Sequence, residues 1–266
     1  MSPPIILAWR LDSALFVAAA LAAMAASLIV IRRKHAVHSH HPLTLLFITA
    51  IIAAGLIWTE ASDHRERNQI RKLVSGLAPT FAHELSALGH AAITLDTPAD
   101  DPRYLEMIER EKAWLRINPQ VSDIYTYRRA PDGHIVFIVD SETDYNHDGI
   151  YSGENEQRTP IGYPYKTATD KNDRALAGEA IFDTEIIADE WDVSISFDQP
   201  MYDANGKVEA VLGVDFPART WVSDILAARA QPLLISFFLL LVVISSSTLL
   251  DLKRIEIDER KKTEAA

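Results

Sequence analysis

Cysteine is absent from the chain, which excludes disulfides and thiol chemistry but leaves the compartment open, because many exported bacterial domains need no bridges. The patterns that announce an enzyme are missing too. No HExxH helix, nucleophile elbow, Walker loop or Rossmann glycine run occurs, and His64, His83, His90, His134 and His147 are scattered without site-like spacing. A non-enzyme is expected. Nor is there a basic surplus: the formal net charge is −11, with most of the acid in the middle of the chain, so nucleic acid is not an expected partner. No internal repeat is apparent.

Apolar residues, by contrast, are plentiful and unevenly placed, so a mean hydropathy near zero conceals three long blocks. Residues 14–31 are about long enough to cross a hydrocarbon core; residues 43–58 are shorter, with Trp58 as an interfacial anchor; residues 232–250 carry no charge until Asp251. A cleaved signal peptide fits the first block poorly, since the amino end is not basic, the run is too long, and Arg32-Arg33-Lys34 follows it. Those three cations, and Lys253, Arg254, Arg260, Lys261 and Lys262 after the third block, place both flanks in the cytoplasm. The expected organisation is two transmembrane helices in residues 1–58 joined by a short cytoplasmic loop, an extracytoplasmic domain over residues 59–231, a third span at 232–250, and a cytoplasmic helical stub at 251–266. The chain is thus expected to be a multi-pass protein of the bacterial inner membrane, with the lipid bilayer as a partner and its acidic domain in the periplasm. In the cytoplasmic loop His35, His38, His40 and His41 could ligate a transition metal, but a polar turn at the membrane is the favoured reading, since no carboxylate or Cys accompanies them.

Between the blocks roughly 170 residues remain, enough for one core. From residue 60 to 90 the pattern is helical, with Ile70, Leu73, Val74, Leu77, Phe81, Leu85 and Leu88 three or four apart, and Pro79 is expected to kink or divide the helix near Ala78. Such a stripe can pack on its own domain or on the same helix of a second subunit, which makes a homodimer an expected assembly. Residues 103–116 read as a second helix with Tyr104, Ile108 and Leu115 inward, ended by Asn118-Pro119. Two strands follow within residues 124–148, rich in Tyr, Ile, Val, Thr and Phe, and Pro131-Asp132-Gly133 between them is turn chemistry. After a loop to about residue 165 come a helix at 170–180, a strand at 184–188, and two strands at 193–202 and 207–216 joined by Asp203-Ala204-Asn205-Gly206, whose Asn-Gly is a hairpin signal. This order gives an α+β domain with a central antiparallel sheet.

At IYTYRRAPDGHIVFIVD, the acidic DYNHDG loop, IGYPY at 161–165, DEW at 189–191 and MYDANGKVEAVLGVDF, the chain resembles the Cache sensors, PAS-like extracytoplasmic domains of chemoreceptors, histidine kinases and diguanylate cyclases. One departure is Asp192, where glycine often follows the tryptophan in similar sequences. The resemblance implies a five-stranded sheet packed on a long amino-terminal helix, with a small-molecule ligand held on the other face under the crossover loop. It further implies a cytoplasmic kinase or cyclase output, expected after Ala266 or on a partner and absent from this chain.

On the last strand Val211, Gly213 and Asp215 share a face, and Asp215 matches the acidic end of the family's GVD motif. Its carboxylate either meets a ligand amine or hydroxyl, or tethers the chain leaving the sheet. Tyr125 and Tyr127 either line the pocket or pack the sheet; Trp191 is a pocket wall or a core plug; Asp140 is a ligand contact or a strand-end turn residue. The loop from Asp144 through Asn146 and Asp148 to Gly149 begins like a calcium loop, but position twelve is Asn155, with Glu154 and Glu156 to either side, so Ca2+ held by Asp144, Asn146, Asp148 and Glu154 stands against a solvated acidic turn. The expected function is a membrane-anchored sensor input module. The alternatives are a structural or interaction module with a non-binding PAS-like domain, and a calcium-stabilised exported domain.

Overall fold

The computed structural model describes residues 3–33, 42–145, 148, 150, 151, 153 and 155–264, with side chains from residue 11 onward. The loop histidines His35, His38, His40 and His41, and the calcium candidates Asn146 and Glu154, lie outside the described residues. The chain forms two compact units, one over residues 68–223 and one made of residues 2–67 and 224–266.

Eleven elements follow in order: α1 (Pro3–Arg33), α2 (Pro42–Ala87), a 3-10 turn at His90–Ala92, α3 (Pro102–Ile117), β1 (Asp123–Arg129), β2 (Ile135–Asp140), α4 (Asp170–Leu176), β3 (Ile181–Ala188), β4 (Val193–Tyr202), β5 (Val208–Pro217) and α5 (Ala218–Glu264). Among the described residues three stretches are long and apolar enough to cross a membrane: Leu11–Arg33 within α1, and the helices Pro42–Ala87 and Ala218–Glu264. α2 runs through Pro79 as one helix and is not divided at Ala78.

In the unit of residues 68–223 the five strands make one antiparallel sheet in the order β2-β1-β5-β4-β3. The two hairpins sit where their turn residues demand, with Gly133 at φ 93° and Gly206 at φ 77°, a region only glycine enters without strain. α3 begins under an Asp101 cap that accepts from the Arg103 and Tyr104 amides and has Pro102 at its first position. Trp114 on α3 stacks on Phe81 of α2 at 4.3 Å between ring centres. The buried stripe of α2 is Val74, Ala78, Phe81, Ala82 and Leu85, whereas Leu73 is 45% exposed. The packed face is therefore rotated from the one the largest apolar residues mark, because Ala78 and Ala82 permit a close approach that bulkier side chains would block.

Two layers flank the sheet. One face carries Ile124, Leu212, Val214 and Ile195, all buried, together with a polar clamp. There His90, 0% exposed, bonds Glu209 through Nδ1 at 2.7 Å and Thr126 through Nε2 at 2.8 Å, while Arg128 donates to Glu209 at 2.6 Å and to the Ile93 carbonyl at 2.7 Å. The clamp satisfies a buried imidazole and ties the turn after α2 to β1 and β5. The opposite face carries an aromatic cluster of Tyr125, Tyr127 and Phe137 with Tyr165, Ala175, Ile181 and Val211.

In the unit of residues 2–67 and 224–266, Phe16, Ala20, Ile48, Leu233, Leu240 and Ile244 form a core shared by α1, α2 and α5. Arg229 closes it with bonds to Asp12 at 2.7 and 3.0 Å, Ser13 at 3.2 Å and Glu60 at 3.2 Å, and lies 3.7 Å from Asp63. One guanidinium thus serves carboxylates from two other helices, a use to which its planar fork is suited.

Candidate binding chamber

The aromatic face of the sheet is where the sequence-singled residues meet. Tyr125 stands opposite Gly213 in the β1–β5 register, and its ring fills the space a side chain at 213 would need: a Cβ there would lie 2.5 Å from ring atoms Cε2 and Cζ. Between Tyr125 and Tyr127 the β1–β2 ladder is bulged, Tyr125 pairing with Asp140 and Tyr127 with Phe137. Three steps on β2 thus match two on β1, which brings Phe137 and Asp140 to the same wall although simple alternation would send them to opposite faces.

Tyr125, Phe137, Asp140, Tyr165, Trp191 and Asp215 line one small chamber with Asp123, Tyr145, Thr159 and Ser194, roofed by the segment between β2 and α4 and by the β3–β4 turn. Its volume open to water centres is about 20 Å³, enough for a water molecule or so. Thr159 and Trp191 also line an open cleft of about 550 Å³ outside it, with Arg158, Pro160, Tyr163 and Glu190. Tyr127 does not line the chamber: its hydroxyl accepts from Asn172 at 3.1 Å, and its ring packs beneath Tyr165 at 5.3 Å between centres. Asp144 and Asp148 lie in the roof segment, the Asp148 amide donating to Asp144 Oδ1 at 3.1 Å; among the described residues no three metal-ligating side chains converge.

Hydrogen bonding in the chamber centres on carboxylates. Asp215 Oδ1 accepts from the Tyr125 hydroxyl at 3.3 Å and Oδ2 from Ser194 at 3.0 Å, while the Tyr125 and Tyr165 hydroxyls share a bond of 2.9 Å. Asp123, paired across from Asp215, accepts from Ser141 and Thr143 at 2.7 Å each and from Tyr145 at 3.2 Å. Asp140 accepts from the Thr159 amide, which pins the roof to the end of β2. The turn carrying Trp191 is closed by Asp189, whose Oδ1 accepts from the Trp191 and Asp192 amides at 3.0 Å each, so Asp192 occupies the position after the tryptophan without needing glycine's freedom.

Burial dominates the electrostatics. Asp215 is pushed up to about 7 from an ordinary 3.8, chiefly by desolvation, against the lowering effect of its hydroxyl donors. Asp123 and Asp140 are raised by the same cause, Asp123 further by the charge of Asp140. Desolvation also raises Tyr125 and Tyr165, keeping both phenols protonated as donors. Sequence reasoning missed Asp123, Tyr145, Thr159 and Ser194. Only the Asp123–Asp215 register exposes the first, and Tyr165 was legible just as part of the IGYPY stretch.

No protein-family model matches the chain, and no curated protein matches it. Among solved structures the chain is similar to sensory domains. The sensory domain of the Campylobacter jejuni chemoreceptor Tlp3 (CcmL) with isoleucine bound is 14% identical, with a TM-score of 0.45 over 70% of this chain and 67% of that one. The sensor domain of the V. cholerae histidine kinase DctB is 13% identical, with a TM-score of 0.43 over 64% of this chain and 57% of that one. The extracellular domain of the putative histidine kinase mmHK1S-Z2 is 15% identical, with a TM-score of 0.38 over 63% of this chain and 60% of that one.

Proposed function

We propose that residues 68–223 are a Cache-type extracytoplasmic sensor that binds a small solute in the Asp215 chamber and passes the change along β5 into α5, across the inner membrane, to a kinase or cyclase output. One observation carries the reading. β5 supplies Asp215 to the chamber and ends at Pro217, and α5 begins at the next residue with no loop between them. A ligand that tightens around Asp215 therefore acts on the strand that feeds an apolar helix. It biases the helix only by its difference in affinity between two states, about 1–3 kcal/mol for typical coupling. Homodimer formation and anchoring of all three apolar stretches in the bilayer belong to this reading.

A second reading is favoured by the chamber's small volume and its aromatic filling: a structural or interaction module whose pocket takes no ligand. Two measurements on the full chain separate them. Because the native chain has no cysteine, an Asp132→Cys variant reports topology cleanly; a membrane-impermeant maleimide labels it in spheroplasts, and labels Lys253→Cys only after lysis. Thermal unfolding across a solute library then finds at least one stabilising compound. Labelling in the reverse sense, or stabilisation by none, overturns the sensor reading.

A further inference from the structure

The chemistry of the chamber is one-sided. Five lining side chains are aspartates, Asp123, Asp140, Asp189, Asp192 and Asp215, and none of the described ones is Lys, Arg or His. They converge from β1, β2, β5 and the β3–β4 turn, so the surplus is built by the fold rather than by one acidic run. Their partners are neutral hydroxyls and amides. Glu111 on α3 adds to the same sign: it is 0% exposed, neither carboxylate oxygen has a hydrogen-bond partner among the described residues, and it interacts with Asp140 and Asp123. The Ser122 hydroxyl, buried at the chamber wall, likewise has no hydrogen-bond partner among the described residues. Uncompensated carboxylates in a desolvated site are costly to hold unless a proton or a cation joins them.

We infer that the chamber receives the ammonium group of an organic cation whose nitrogen-bearing carbon carries no carboxylate: an alkylamine or diamine, and not an α-amino acid or a dicarboxylate. The inference rests on the sensor reading and names the ligand class of the same site. The aromatic walls are suited to a cation, which is attracted to the faces of Tyr and Trp rings, and less suited to a bare metal ion, since among the described residues no three of these carboxylates stand close enough together to hold one. An α-carboxylate would enter beside the ammonium and meet the aspartates at close range, where like charges in a desolvated site repel strongly. The hydrocarbon body leaves past Thr159 and Trp191 into the outer cleft, against Pro160 and Tyr163. Opening that passage is what ligand entry requires, since the chamber alone has room for little more than the head group.

The test uses the full chain in detergent micelles at pH 8, with thermal unfolding and calorimetric titration against butylamine, 1,4-diaminobutane, leucine, succinate, butanol and calcium chloride. The two amines raise the unfolding midpoint and the other four do not, and Asp215→Asn weakens amine binding by roughly tenfold to a hundredfold. Asp123→Asn does the same, which keeps the result readable if one variant folds poorly. Stabilisation by leucine or succinate in place of the amines overturns the cation inference and leaves the sensor standing. Stabilisation by calcium alone overturns it as well, as does an amine effect unchanged in both variants. If no compound here or in the wider library stabilises the chain, the sensor reading falls and the inference with it.

Discussion

Replacing Gly213 with alanine puts a methyl group where the ring of Tyr125 already lies. The new Cβ would stand 2.5 Å from Cε2 and Cζ and 2.9 Å from the hydroxyl oxygen, so the ring must retreat by about 1 Å to reach ordinary contact. It has little room to do so. Phe137 lies 5.3 Å away between ring centres and Tyr165 5.9 Å, and Tyr125 itself is 4% exposed. Overpacking of this kind costs about 1–3 kcal/mol, against which alanine's strand preference over glycine returns about 0.5–1 kcal/mol. A net loss near 1–2 kcal/mol corresponds to a fall of about 2–8 °C in the unfolding midpoint of a unit this size, measurable by near-ultraviolet circular dichroism of the full chain in micelles. The double-mutant cycle with Tyr125→Ala isolates the cause. Once the ring is gone, Gly213→Ala becomes neutral or mildly stabilising, giving a coupling of about 1–3 kcal/mol between the two positions. If Gly213→Ala is equally harmful with and without the ring, the steric argument is wrong, and so is the placement of Tyr125 over β5.

The raised proton affinity of Asp215 gives a pH signature. Its folded value near 7 exceeds its ordinary 3.8, so it contributes stability below about pH 4 that is lost as the pH rises to about 7; wild type minus Asp215→Asn stability declines across that window, and a rising difference would contradict the assignment. His90→Ala leaves Glu209 and Thr126 without their imidazole partner and costs about 2–4 kcal/mol, read by the same unfolding assay, while His134→Ala, on the exposed hairpin turn, changes it by less than about 0.5 kcal/mol. Arg229→Ala leaves Asp12, Glu60 and Asp63 facing one another and destabilises the unit formed by residues 2–67 and 224–266 by up to about 3–5 kcal/mol, read as a lower unfolding midpoint; Arg229→Lys recovers only part because it lacks the fork. Chelation with EDTA leaves the unfolding midpoint unchanged, since the Asp144 carboxylate already closes its own turn on the Asp148 amide; a chelator-dependent fall would instead reveal a bound ion in that loop.

The two hairpins and the succession of strands along the chain were open to a reader of the sequence because local chemistry fixes them, Pro-Asp-Gly and Asn-Gly forcing their turns and alternating apolar residues marking the strands, whereas the β1–β5 pairing that orders the sheet was not. The chamber was open only in part. Tyr125, Trp191, Asp140 and Asp215 could be proposed from strand position and motif, yet Asp140 reaches the wall through a bulge that no alternation rule foresees. Asp123 begins its strand like any turn-side acid, and becomes part of the site only when antiparallel register sets it across from Asp215. Glu111 looks like part of a solvated helix face among Glu109, Arg110 and Lys112, but α3 turns it inward on the arc of Tyr104, Met107, Ile108 and Trp114. On α2 the small side chains of Ala78 and Ala82, not the bulk of Leu73, mark the packed side. In each case the missing information is a long-range contact, which composition and periodicity do not contain.

The absence of a loop between Pro217 and Ala218 sets the angular phase of the first turn of α5 against β5. Each residue of an α-helix advances its side chains by about 100°, so a single residue inserted at this joint would turn every later side chain onto a different face without touching the chamber. Chimeras that join this domain to a foreign output must therefore preserve the residue count across the joint, much as a coding sequence preserves its frame. Under the sensor reading proposed above, a deletion there would mute or invert the response while solute binding stayed intact.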